Sequence, residues 1–85
     1  MDLEAQLARM QEALKAVELA GESPGAGEVL GLSRAYAGDA VHFMKEGRRE
    51  DAIEAFGIAW AYLDALLHLG LVRIPESFRD WFTVE

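Results

Sequence analysis

The sequence predicts an all-α protein, an antiparallel three-helix bundle with a short C-terminal helix, in which residues 1–85 form a single domain. Three observations predict it. Apolar residues recur at alternating spacings of four and three along three separate stretches, the rhythm of one helical face and not the alternation of a strand. Breaks rich in glycine and proline fall at residues 21–27, at Gly47 and at Gly70. The first two breaks are short, so consecutive helices fold back on each other.

The first helix, about 2–20, carries Leu3, Leu7, Met10, Leu14 and Val17 on one face, with Glu4, Arg9, Glu12, Lys15 and Glu18 opposite. So narrow a stripe also suits a leucine zipper. It spans fewer than three heptads, which favours packing inside the chain. After the break, Ser23 and Pro24 are a capping residue and a first-turn proline, so the second helix, about 26–46, begins between 24 and 28. Its stripe is Val29, Ser33, Tyr36, Ala40, Phe43 and Gly47, widened by Ala37 and Met44. Gly47 suits a helix end, where the left-handed conformation costs glycine little, and Lys45 complements the helix dipole in the last turn.

The third helix, about 49–70, has the clearest pattern: Ala52, Phe56, Ala59, Leu63, Leu66 and Gly70, widened by Ile53, Trp60 and Leu67. Beyond Gly70, Pro75 opens a short helix, about 75–82. This tail presents Phe78, Trp81, Phe82 and Val84. Each aromatic ring buries about 150–250 Å² at ~25 cal/mol per Å², so docking is worth several kcal/mol. The tail is expected to fold back on the bundle or onto a second subunit. Ala40, Phe43, Gly47, Ala52, Phe56 and Ala59 also match tetratricopeptide spacings, but an array needs about three units and this chain holds one.

Hydrophobic residues make up 52% of the chain, too many for a disordered segment. Asp39, Lys45, Glu54, Asp64 and His68 interrupt every apolar run, so no membrane span is expected. The N-terminus lacks the cationic start of a signal peptide. Cysteine is absent, which removes disulfides, thiolate nucleophiles and thiolate metal sites and fits a cytoplasmic protein. A net charge of −7 disfavours nucleic acid. The one basic cluster, Lys45, Arg48 and Arg49, is flanked by Glu46, Glu50 and Asp51.

Candidate chemistry is sparse, and no enzymatic activity is expected. No serine stands in a nucleophile elbow and no glycine pattern matches a phosphate loop. Asp39 with His42, and Asp64 with His68, are the acid–histidine pairs at helical spacing, but they lie roughly 10 Å apart along a hairpin with a rise of ~1.5 Å per residue. A carboxylate-bridged dimetal bundle needs more inward glutamates. No metal and no cofactor are expected. Asp39 and Asp64 each flank a core stripe beside an aromatic residue, so Tyr36, Asp39, Trp60 and Asp64 form a candidate polar boundary site. A small-ligand or metal site built on Asp39 and Asp64 is the alternative reading.

Two surfaces lie outside the core stripes. Ile58, Tyr62, Ala65 and Leu69 make a second apolar stripe on the third helix, and Gly31, Ala35 and Gly38 line the outer face of the second. Glycine inside a helix costs about 1 kcal/mol relative to alanine, and small residues at such spacing permit close approach of another helix. These seven residues are the candidate interface. The expected role is a small interaction module, a homo-oligomer or a partner of another protein, without nucleic acid or membrane.

Tyr36-x-x-Asp39-Ala40-x-x-Phe43, then Gly47, Ala52 and Phe56, then residues 59–65 (AWAYLDA) and Leu69-Gly70-Leu71, resemble the short archaeal proteins grouped as domain of unknown function 357. The resemblance covers about residues 33–72. It implies a compact three-helix bundle in an archaeal cytoplasm and places Asp39 and Asp64 in the family pattern. The family carries no assigned activity, so no catalytic residue transfers.

Overall fold

The computed structural model describes residues 2–82. In chain order these form α1 (Leu3–Ala16), β1 (Glu18–Leu19), α2 (Pro24–Lys45), α3 (Arg49–His68), β2 (Val72–Arg73) and α4 (Glu76–Arg79). The described residues are mostly helical, with four helices, three of them long. The α2–α3 pair is densely packed.

The hairpin is made by its caps and its seam. Ser23 accepts a hydrogen bond from the Ala26 amide, and Pro24 occupies the first turn of α2. At the other end Gly47 takes φ 76°. There Arg48 N–H donates to Phe43 O and Gly47 N–H to Met44 O, the paired bonds of a Schellman motif. Gly70 ends α3 the same way, with φ 71° and with Leu71 N–H and Gly70 N–H donating to Leu66 O and Leu67 O. Between these ends the seam is built of small residues. Ser33, Ala37 and Ala40 of α2 and Ala52, Ala55 and Ala59 of α3 are all buried, and the Ser33 hydroxyl donates to Ala59 O at 2.7 Å.

Both core stripes differ in detail from the expected ones. The buried residues of α2 are Ala26, Leu30, Ser33, Ala37 and Ala40, while Val29, Tyr36 and Phe43 are only half-buried. On α3, Ala55 is buried, whereas Ile53, expected in the core, is 39% exposed. The expected Gly70 is an exposed terminator and not a core member. The cause is a second layer on one side of the hairpin, which draws both buried faces towards it.

That layer is α1 and the C-terminal tail. Leu3, Leu7, Met10, Ala13, Leu14 and Val17 are all buried. The helix stops at Ala16, not near residue 20 as its periodicity predicts. Val17 turns extended (φ −71°, ψ 140°) while its N–H still donates to Ala13 O, and Arg34 of α2 donates to Leu14 O at 3.1 Å. Glu18 and Leu19 then pair antiparallel with Arg73 and Val72, and Ala20 N–H donates to Leu71 O at 2.9 Å. A strand partner 53 or more residues further along outbids another helical turn, and local periodicity carries no trace of it.

The tail folds back on its own chain. Helix α4 is shorter than the predicted 75–82, with turns continuing through Trp81 and Phe82. The Trp81 ring lies 4.4 Å from Trp60 and the Phe82 ring 4.9 Å from Trp60, both contacts between ring centroids. Trp81 Nε1 donates to Gln6 Oε1 at 3.1 Å, and the Arg9 guanidinium stands over both Trp81 and Phe78. These rings wedge between α1 and α3 and close the core. Val84 lies outside the described residues.

Candidate functional site: the open face of the hairpin

An α-helix turns about 100° per residue, so side chains two apart point to opposite flanks. On α2, Arg34 points to the α1 side, which sends Tyr36 to the other. On α3, Trp60 lies against the tail, which sends Tyr62 to the other. The two tyrosines accordingly meet on the face away from α1, with ring centroids 6.1 Å apart and planes tilted by 32°. Leu32, 44% exposed, and Leu69, 69% exposed, share that face with half-buried Ile58 and exposed Ala65. Tyr36 and Tyr62 themselves are half-buried there.

Towards the hairpin turn the same face dips into a groove of about 210 Å³, lined by Tyr36, Asp39, Phe43, Asp51, Glu54, Ala55 and Ile58. Its lower rim is fixed by Arg48, whose guanidinium lies 4.5 Å over the Phe43 ring and bonds Asp51 at 2.8 Å. The groove is therefore apolar at its floor and acidic at its rim.

The expected site residues are redistributed. Ile58, Tyr62, Ala65 and Leu69 come together as a face. Gly31 and Gly38 do not join it, because they stand five and two residues from Tyr36, about 140° and 200° round α2. Both glycines, with Ala35 between them, are exposed. A Cβ built at Gly31 or Gly38 would meet no atom within 4 Å. The polar boundary set also divides. Tyr36 and Asp39 line the open face, while Trp60 packs in the tail cluster and Asp64 stands 3.7 Å from His68. His42 lies 3.5 Å from Glu46. Among the described residues no three His, Cys, Asp or Glu side chains are grouped to hold a metal ion.

Sequence reasoning missed Leu32. The signal is present: Leu32, Tyr36, Asp39 and Phe43 repeat at spacings of 4, 3 and 4, one step round from the stripe of Val29, Ser33 and Ala40.

A protein-family model described as "protein of unknown function (DUF357)" matches residues 6–72. The chain belongs to this family. The match runs from within α1 to the first residue of β2 and so contains the whole hairpin, while Arg73, α4, Trp81 and Phe82 lie beyond it. No curated protein and no solved structure matches the chain. The family description names no activity, so function rests on the geometry. Among the described residues, no helix is long and apolar enough to cross a membrane.

Proposed function

We propose that this protein is a non-catalytic interaction module, a three-helix bundle that self-associates through the open face of α2 and α3. The observation that supports it is a single one: Leu32 and Leu69 stand 44% and 69% exposed beside the Tyr36–Tyr62 pair, on the side that α1 and the tail leave bare. The bundle itself is supported by one shared core to which all three long helices contribute.

The size of the face suits a second copy. Helices about 30 Å long, side by side at about 10 Å each, offer roughly 600 Å² per copy, close to the ~800 Å² per partner of a standard interface. Its centre is aromatic and aliphatic, and Asp39, Asp51 and Glu54 lie at one end, the apolar middle and polar rim that interfaces share. A two-fold pairing with its axis perpendicular to the helices would set the acidic end of one copy over the apolar end of the other.

Sedimentation equilibrium over a concentration series tests this. The 9.4 kDa chain is expected to give a dimer, and Leu69→Glu to weaken it by about tenfold or more, since a buried unpaired carboxylate costs several kcal/mol. A wild-type monomer at every concentration ends the proposal. A second reading, a small-ligand site using Asp39, is favoured by the groove of about 210 Å³ beside that carboxylate. Thermal melts with divalent metals or organic cations separate the two, because a ligand of the folded state raises the midpoint.

A further inference from the structure

We propose that the groove between α1 and α3 is a docking site for an aromatic segment of another protein, and that the chain's own tail fills it as a displaceable stand-in. The tail shows what the groove recognises. Phe78, Trp81 and Phe82 stand at positions i, i+3 and i+4, so their rings share one side of a helical turn. α3 supplies the floor: the Trp81 ring lies 6.2 Å from Phe56 and 4.4 Å from Trp60, and the Phe82 ring 4.9 Å from Trp60, between centroids. α1 supplies the wall, where Gln6 Oε1 accepts from Trp81 Nε1 at 3.1 Å. Beside it the Arg9 guanidinium stands 5.9 Å from the centre of the Phe78 ring and 5.2 Å from that of Trp81, and donates to Ser77 O at 3.4 Å. Rings at helical spacing, an indole N–H and a backbone carbonyl are thus read together, as when a groove takes up the apolar face of a short helix.

The tail is built to leave. Its backbone hydrogen bonds close within itself, from the Phe78, Trp81 and Phe82 N–H groups to Pro75, Phe78 and Arg79 O. Helix α4 spans four residues, and Pro75 at its start makes no side-chain capping bond. Pro75, Glu76, Ser77 and Asp80 are exposed and Phe78 and Trp81 half-buried, while Phe82 is buried. A segment with few buried side chains and exposed backbone bonds opens at a lower free energy than the whole molecule. The three long helices, by contrast, share one core. The family match over residues 6–72 contains Gln6, Arg9, Phe56 and Trp60, and it ends before the segment that fills the groove. With the tail gone, Phe56 and Trp60 would face water, so an occupant that replaces it must bring rings of its own.

Amide NMR titration of the full chain carrying Trp81→Ala, with a synthetic peptide of residues 74–82 (IPESFRDWF) as probe, tests the proposal. Saturable shifts centred on Gln6, Arg9, Phe56 and Trp60 are expected. The wild-type chain should bind the peptide at least tenfold more weakly, because its own tail competes at an effective concentration on the order of mM. A peptide with alanine in place of its tryptophan should not bind, and Leu69→Glu, on the open face, should leave peptide binding unchanged. Hydrogen exchange of the wild type needs no substitution: the Phe82 amide and the Trp81 indole N–H should exchange at least tenfold faster than the slowest amides of α2 and α3. Exchange at the same rate would mean that the tail leaves only when the bundle unfolds, and would overturn the proposal. So would a Trp81→Ala chain that ignores the peptide, or wild type and variant binding it equally. Wild-type dimers that Trp81→Ala dissolves would place a second copy's tail in the groove and end the proposal in favour of tail exchange.

Discussion

Ser33 is a fully buried polar side chain, and the helix crossing accounts for it. Its hydroxyl donates to Ala59 O at 2.7 Å, so a small residue and a hydrogen bond coincide at the seam between α2 and α3. Ser33→Ala should lower stability by about 1 kcal/mol through the lost bond. Ser33→Leu should cost more, about 1–3 kcal/mol from overpacking. Urea unfolding of both variants checks the order; a leucine variant as stable as wild type would mean that the seam is looser than its geometry. Gly38 is the opposite case. Nothing stands within 4 Å of a Cβ there, and the glycine lies mid-helix, so Gly38→Ala should stabilise the chain by about 0.5–1 kcal/mol. Because Gly38 is turned away from the Tyr36–Tyr62 pair, the same variant should leave self-association unchanged in sedimentation. A fall in association would return the glycine ridge to the interface.

Among the elements, the tail depends most on tertiary context. Helix α4 is four residues long, too short to persist alone in water. It is held by the rings of Trp81 and Phe82 against Phe56 and Trp60, and by Gln6 and Arg9. Trp81→Ala should cost about 2–3 kcal/mol, below the ~3–5 of a fully buried tryptophan because Trp81 keeps some exposure. Thermal melts measure the loss. A shift below about 1 kcal/mol would show that the wedge does not close the core. The apolar rings of the tail were legible in the sequence as surface that water would not tolerate. Their landing place was not, because an aromatic cluster carries no address until α1 and α3 define a gap.

For the whole molecule, the decisive number is the charge of −7. Two like-charged copies repel, and the screening length falls from about 30 Å at 0.01 M salt to about 8 Å at 0.15 M. Self-association through the open face should therefore tighten as salt rises, which sedimentation at two ionic strengths measures. A basic protein docking on the acidic groove would show the reverse, so weakening with salt would point away from a second copy. The stripe of Ile58, Tyr62, Ala65 and Leu69 was legible on one helix at a time, and in the fold Ile58 and Tyr62 are half-buried while Ala65 and Leu69 are exposed. That Tyr36 belongs with them, and that Gly31 and Gly38 do not, depends on how the two wheels are turned towards each other.

By itself the sequence determined the helical class, the hairpin and its ends, because these rest on interactions within a few residues. Ser23 caps its own helix, Gly47 and Gly70 terminate theirs, and the 4-3 spacing marks a buried face whichever element covers it. Only the tertiary structure decided which side of the hairpin is covered, where α1 yields to a strand, and where the aromatic tail docks. Those outcomes join residues far apart in the chain: Glu18 with Arg73, Gln6 with Trp81, Tyr36 with Tyr62. Burial is a property of the assembled layers, so a sequence that specifies every local turn still leaves the free face to be settled by packing.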